Sequence, residues 1–523
     1  MEPPRVLKPR SQNGCERCRK RRQKCDEQRP VCTRCRKATG VVCVYGINLR
    51  WGGRQFEKSR FGKCQVQRVE TSRGSFVYSS EYYAQNRSPS PTLQQTAGSL
   101  QQTSRLAIAT PGAMPRNIGL LPGLTPDQKS LLHHFVHEAS SLISCNRQIQ
   151  SQTCQVLLPL SLEVSALLHA VLAFSAGHRA SIGENEDRTR MFKMQLVTTR
   201  NQSIRELHHN LDPLNSSHLE ATLATSLMLC LCALRYDEEA YNSWRIHLNG
   251  ARATISAISR LPNSESLQSS TRFSYLKKRY TILETIALQG LNGFHARDLD
   301  YEIAKQDAQP AEVFLDDYVG CATDVLEMFQ EVSAVAWETR RARAADGKEL
   351  VLSQHDFDLE AFNLETRLLQ MIDRDRKSSP VFCPGVQAML SPRQIADYVL
   401  FNELVQYTVL LVIRRRIRRL SPSNSLVQEC VGKIIQLANF LTPSNGLSPG
   451  LGLNEVLFAA GCSCLEPDRD SIRRLLNSFY HSTQNHNTIL ALRILEEHWT
   501  KMGSAQESDD SSEVHTNIDF IAY

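Results

Sequence analysis

No run of eighteen apolar residues occurs in this 523-residue chain, so neither a membrane-spanning helix nor a membrane partner is expected. The most apolar window, 398–413, is broken by Asn402, Glu403 and Gln406. The first residues, Met-Glu-Pro-Pro, lead into a basic stretch without the apolar core of a secretory signal. An intracellular chain is therefore expected, with its sixteen cysteines as thiols or metal ligands rather than disulfides. A glycine-rich phosphate loop ending in Lys-Ser/Thr is lacking and no nucleophile elbow is read, so an enzyme is not expected. Negative charge is scarce at one end only. Residues 1–63 hold 18 Lys/Arg against 5 Asp/Glu, a net of +13 in a chain whose total is +7. A basic head on a mildly acidic body is the footprint of a polyanion-binding domain.

The head also concentrates cysteine. Cys15, Cys18, Cys25, Cys32, Cys35 and Cys43 fall within 29 residues, as two similar halves. Each half is a Cys-x-x-Cys pair followed about seven residues later by a third cysteine. A Cys-x-x-Cys pair at a helix start lets two thiolates converge on one tetrahedral zinc. Six thiolates fill two four-ligand sites only if two of them are shared. A single structural zinc with two spare cysteines, or a small disulfide knot, also satisfies the count, although the expected compartment argues against the knot. Metal has to hold this segment together, because Val31, Val41 and Val42 are its only large apolar residues between Cys15 and Cys43. Arg19, Lys20, Arg21, Arg22 and Lys24 lie between Cys18 and Cys25. Five cations on one short helix repel each other and call for an external anion, and a helix of this kind fits the DNA major groove.

The run from Cys15 to Asp26, followed by Pro30 before Cys32, resembles the fungal zinc binuclear cluster transcription factors. The resemblance implies two Zn²⁺ ions bridged by Cys15 and Cys32. One zinc would take Cys15, Cys18, Cys25 and Cys32, and the other Cys15, Cys32, Cys35 and Cys43. It further implies a nuclear regulator of RNA polymerase II genes that binds double-stranded DNA at CGG-like triplets. Arg21 and Arg22 are then the base-contacting candidates. Arg19, Lys20, Lys24, Arg34, Arg36 and Lys37 are the phosphate-contacting ones. Control of a metabolic or secondary-metabolite gene set is the expectation carried by the family.

No sustained heptad repeat follows the cysteines between Val44 and Thr125. Residues 70–118 are rich in Ser, Thr, Gln and Pro and read as a disordered linker. From Thr125 the apolar period is helical. Thr125-Pro126-Asp127-Gln128 gives a capping box, and Leu131, Leu132, Phe135, Val136, Ala139, Leu142 and Ile143 line one face. Further amphipathic stretches are expected near 164–176, 187–209, 217–235, 241–258, 273–291, 312–343, 357–373, 393–420, 425–441 and 470–501. The segments Trp244–Ala251, Tyr318–Cys321, Leu457–Cys462 and Leu495–Trp499 resemble the regulatory domain that accompanies the zinc cluster in such proteins. His133, His134 and His137 sit at i, i+1 and i+4; His133 and His137 are spaced to share a metal, but no third ligand at helical spacing is evident, and an exposed polar face is expected there. Cys230, Cys232, Cys462 and Cys464 are expected to be small core residues.

The expected organisation is mostly α: a disordered basic N-terminus (1–12), a two-zinc cluster domain (13–46), a largely disordered linker (47–120), an all-α regulatory domain (121–503) and an acidic tail (504–523). The helical domain is the candidate for homodimerisation, and the tail, which mixes acidic and apolar residues, for contacts with the transcription machinery. Helical bundles can hold a small-molecule pocket, but the sequence names no ligand.

Overall fold

The computed structural model describes residues 17–18, 21, 23, 25–26, 28, 31–38 and 43 of the head, and residues 123–504 apart from 184, 210–218, 237–242, 262–267, 289–312, 345–353 and 384. It also describes residues 520–523 and the backbone of 70–71 and 74–75. The head contributes a short helix, α1 (Thr33–Arg36). Most of residues 47–120, read as linker, lies outside the described residues. Within it Glu70–Thr71 (β1) pairs antiparallel with Gly74–Ser75 (β2), a ladder the sequence reading did not anticipate.

The body is helical, and its helices begin where local chemistry starts them. The expected capping box opens α2 (Pro126–His137): Thr125 Oγ1 accepts from Gln128 N at 3.3 Å, and Gln128 Oε1 accepts from Thr125 N at 3.0 Å. There follow α3 (Arg147–Glu163), α4 (Ser165–Ser181), α5 (Glu186–His209), α6 (Leu219–Tyr236), α7 (Ser243–Ser259) and α8 (Thr271–Leu288). Their apolar faces form one core around Phe135, Leu172, Phe174, Leu229 and Leu248. A second core, around Tyr398, Leu410, Val431, Leu457 and Leu495, is built by α9 (Thr323–Ala344), α10 (Gln354–Lys377), α11 (Pro392–Val412), α12 (Ser425–Phe440), α13 (Leu453–Gly461), α14 (Glu466–Thr483) and α15 (His486–Ser504). A second capping box, Ser391 with Gln394, starts α11, which runs into a π-helical turn at Ile413–Ile417.

Two segments, Leu219–Tyr236 and Pro392–Ile417, do have the length and mean hydropathy, 1.3 each, that a membrane crossing requires. They run through the middle of the two cores, with 89% and 72% of their apolar windows buried by the rest of the body.

Four expectations are revised. Helix α3 falls outside the stretches read as amphipathic, because Pro159 sits inside it. The stretch 470–501 is two helices, parted where Gln484 takes a left-handed conformation at φ 51°. Residues 446–450, Gly-Leu-Ser-Pro-Gly, do carry the letters of a nucleophile elbow. Ser448 is nevertheless buried, follows α12 rather than a strand, and spends its hydroxyl accepting from Gly450 N at 3.1 Å. The last four residues of the supposed acidic tail are core. Ile521 packs into the first core, while Phe520 and Ala522 pack into the second, the alternation of an extended strap laid along the seam between them.

The landmarks of the body meet in space. Trp499 Nε1 donates to Gly461 O at 2.9 Å, and Cys145 Sγ donates to Tyr318 O at 3.0 Å. Gly320 has φ +88°, and a Cβ there would stand 2.4 Å from the Pro449 ring, so no other residue fits. His133 and His137 lie together on the surface, their ring centroids 4.2 Å apart and the rings tilted by 40°. His134, expected with them on the exposed face, is instead buried against His178, Nε2 to Nδ1 3.1 Å. Cys230, Cys232 and Cys464 are buried, as expected of small core residues, while Cys462 is half-buried.

Candidate metal centre and nucleic-acid interface

The head has almost no apolar side chains to fold around, and its thiols take their place. Cys18, Cys25, Cys32 and Cys35 are buried together, with Val31 and Cys43 packed beside them. Cys32 caps α1 from an extended conformation, and its sulfur accepts from Cys35 N at 3.4 Å. That one turn brings the second Cys-x-x-Cys pair onto one side. Cys43 Sγ accepts in turn from Cys32 N at 3.4 Å. On the other half, Arg17 and Cys18 lie in a helical turn closed by Arg21 N donating to Arg17 O at 3.0 Å. A wider bond, Gln23 N to Cys18 O at 2.9 Å, then ends the turn ahead of Cys25.

The sulfurs are spaced for metal. Cys18 Sγ and Cys32 Sγ are 3.8 Å apart, and two thiolates bound at 2.3 Å to one tetrahedral zinc stand about 3.8 Å apart. The ligand atoms of Cys18, Cys32 and Cys35 all lie within 4.8 Å of one another, as do those of Cys25, Asp26 and Cys32. Cys32 is common to both groups, which is the property a bridging ligand requires. Cys15, the other expected bridge, lies outside the described residues.

Two contacts around the thiols escaped the sequence reading. Asp26 follows the third cysteine and Thr33 follows the fourth. The Asp26 carboxylate accepts from Thr33 N at 3.1 Å and from the Thr33 hydroxyl, joining the two halves. The Thr33 hydroxyl bond holds the Asp26 carboxyl below its ordinary value, against the opposing effect of burial. Arg17 Nη1 points at Cys35 Sγ from 3.8 Å, the outer-shell donor that a thiolate ligand recruits. The legible signal was an Asp and a Thr each flanking a ligand cysteine.

Of the expected DNA contacts, Arg21, Arg34, Arg36 and Lys37 are exposed around this cluster. Arg19, Lys20, Arg22 and Lys24 lie outside the described residues. The cations that are described thus surround a buried set of soft donors, as a DNA-facing module held by metal requires.

Residues 13–52 match the family model of the fungal Zn(2)-Cys(6) binuclear cluster domain, and residues 130–518 that of the fungal specific transcription factor domain. The chain belongs to the fungal Zn(2)-Cys(6) transcription factors. The cluster domain of this family binds two zinc ions and DNA, and both matched domains are those of transcription factors rather than of enzymes. Similar curated proteins include the Zn(2)-C6 fungal-type transcription factor afumD of Aspergillus fumigatus, 55% identical over 8% of this chain and 11% of its own length. The aspercryptin biosynthesis cluster-specific transcription regulator atnN of Emericella nidulans is 56% identical over 8% of this chain and 7% of its own. The transcriptional activator protein UGA3 of Saccharomyces cerevisiae is 23% identical over 46% of this chain and 43% of its own. Each match thus spans less than half of the relative's length. No solved structure matches the chain.

Proposed function

We propose that the head reads CGG-like triplets in the major groove, with Arg21 and Arg22 donating to guanine edges and Arg19, Lys20, Lys24, Arg34, Arg36 and Lys37 neutralising phosphates. Supporting this is the position of Arg21, exposed and closing through Arg17 O the turn that carries buried Cys18, whose sulfur stands at tetrahedral spacing from that of Cys32. Cys15, Cys18, Cys25 and Cys32 hold one zinc, and Cys15, Cys32, Cys35 and Cys43 the other. The shared position of Cys32 supports that assignment. The zinc supplies the folding energy that the missing apolar core cannot. The head extends over 13–46 and the regulatory body over 121–503, with the strap 520–523 packed into its cores.

The protein acts in the nucleus on RNA polymerase II genes. Its target set is metabolic or secondary-metabolite, a reading supported by a relative named as specific to a biosynthesis cluster. Any homodimer forms through the helical body, since the sequence after the cysteines carries no sustained heptad.

Selection of DNA sites in vitro by the full chain tests the reading directly, and enrichment of sites without a CGG-like triplet would overturn it. Arg22→Ala is expected to lose about 1–3 kcal/mol of discrimination at one base of the selected site. Arg36→Ala should weaken selected and scrambled sites alike and lower the salt dependence. Equal effects of both on both sites would refute the division into base and phosphate contacts.

A further inference from the structure

Helix α10 carries two apolar rows, and one of them is uncovered. Ala361, Leu364, Leu368 and Ile372 belong to the second core. On another side of the helix Leu359, Phe362 and Leu369 are 54%, 66% and 45% exposed, and half-buried Thr366 completes their row. The Thr366 hydroxyl donates back to Phe362 O at 2.8 Å, so it adds no unspent donor there. At 3.6 residues per turn the four positions stay within an arc of about 80° over about 15 Å of helix. Their spacing of three, four and three residues is that of a coiled-coil seam.

Two properties of the row select its occupant. The spacing reads the same from either end. Laid antiparallel on a copy of itself, with the two-fold axis beside residue 364, Leu359 meets the partner's Leu369 and Phe362 meets the partner's Thr366, and each pair is made twice. An isologous interface requires that self-complementarity. Charge is arranged for the same pairing. The first half of α10 holds Asp356, Asp358 and Glu360 without a Lys or Arg. Its last turn holds Arg374, Arg376 and Lys377 and is net positive despite Asp373 and Asp375. Antiparallel pairing sets the acidic end of one helix beside the basic end of the other and opposes the two helix dipoles, whereas parallel pairing stacks like on like.

We propose that two copies of this chain pair through the row Leu359, Phe362, Thr366 and Leu369, α10 against α10 and antiparallel. The inference rests on the reading that any homodimer forms through the helical body, and it names the surface. Three turns of helix against three turns bury less than the roughly 1,000 Å² of a stable interface, so the pairing is weak and concentration-dependent in free solution. Two heads bound to one stretch of DNA hold their bodies at high effective concentration, and a contact of this strength then closes.

Sedimentation of the zinc-loaded full chain over a concentration series, without DNA, tests the pairing. A monomer–dimer equilibrium in the micromolar range is expected. Phe362→Asp should weaken it by more than about tenfold, because two-fold symmetry counts the substitution twice, and Thr366→Leu should tighten it. Neither side chain is buried, so helical circular dichroism and the thermal midpoint should stay near those of the unaltered chain. A photo-crosslinking residue at position 359 is expected to capture the segment 366–373 of the other copy. A chain that stays monomeric at every concentration, a dimer indifferent to both substitutions, or capture of the segment 356–362 in parallel register would each overturn the proposal. Lysine cross-links separate it from the broader reading. Links between bodies away from α10 would overturn the α10 contact and leave dimerisation through the body standing, whereas links confined to the two heads would overturn both.

Discussion

Single side chains decide how the head and the body respond to their surroundings. Thr33 ties the two halves of the head through its hydroxyl and its N–H, both directed at Asp26. Thr33→Val removes the hydroxyl and keeps the N–H, so the zinc-bound head is expected to be weakened. Faster zinc loss to a competing chelator would register it, and an unchanged rate would mean that the backbone bond alone joins the halves. In the body, burial pushes His178 down to about 3, and its partner His134 is lowered by the same cause. Arg179 and Arg235 face the pair with like charge, while Glu138 opposes them. The unfolded chain titrates near pH 6.5 and then binds protons that the folded pair refuses. The stability from the neutral pair is therefore complete above pH 6.5 and drains away as the pH falls towards 3. His178→Gln keeps a partner for His134 and should flatten the fall of the thermal midpoint between pH 6.5 and 5. An unaltered slope would place that titration elsewhere. Neither His134 nor Thr33 was legible as a contact residue in the sequence. The helical period assigns a face, but partners 44 residues away, as for His134 and His178, depend on how helices cross.

At the scale of elements, α10, α12 and the π-helical turn after α11 are locked by charge. Buried Arg414 donates through Nε to Glu365 at 2.9 Å and through Nη1 to Leu426 O at 2.6 Å, and Arg418 reaches the other Glu365 oxygen at 2.6 Å. Glu365→Ala leaves buried Arg414 with only the half-exposed carboxylate of Glu429, at 3.4 Å, and a loss of about 2–4 kcal/mol is expected in denaturant unfolding. A loss under 1 kcal/mol would show that the carbonyl of Leu426 and the carboxylate of Glu429 suffice. The run 413–420 is strongly basic and closes the amphipathic stretch 393–420, but its period does not name which arginine turns inward. The junction of α14 and α15 has a different origin. Gln484 sits at φ 51°, where a side chain strains the backbone and β-branching strains it further. Gln484→Val is expected to destabilise by about 1–2 kcal/mol, whereas Gln484→Gly should be neutral or slightly stabilising. The opposite order in thermal unfolding would move the strain elsewhere. Helix starts with capping boxes, at Thr125 and Ser391, are the most local signals in the body. The ends set by packing, such as Gln484 or the passage of α3 across Pro159, depend on neighbours that the local sequence does not name.

Across the whole molecule, the head and the body fold by different means. The head gathers soft donors around metal, and the body buries apolar surface in two cores. Exhaustive zinc chelation should therefore abolish DNA binding and leave the helical circular dichroism of the body nearly intact. Retained DNA binding after complete zinc removal would contradict the metal-dependent head. This division was readable in the sequence because charge and cysteine are both concentrated at one end. The strap was not, since Ile518, Phe520 and Ile521 among acidic residues look the same whether they lie in solvent or in a seam.

The division also sorts the chain by reactivity. Burial pushes the thiols of Cys145, Cys154, Cys230, Cys232, Cys321, Cys383, Cys430, Cys462 and Cys464 upward, Cys145 to about 12, so the described cysteines of the body stay protonated and poor as nucleophiles. Among the described cysteines, thiolate character belongs to the zinc ligands. Mild oxidants and alkylating agents would then find their first targets in the cluster, releasing zinc and silencing promoter occupancy before they damaged the regulatory half. Under oxidative stress such a factor would let go of its genes while its body remained folded, ready to be reloaded once thiols and zinc returned.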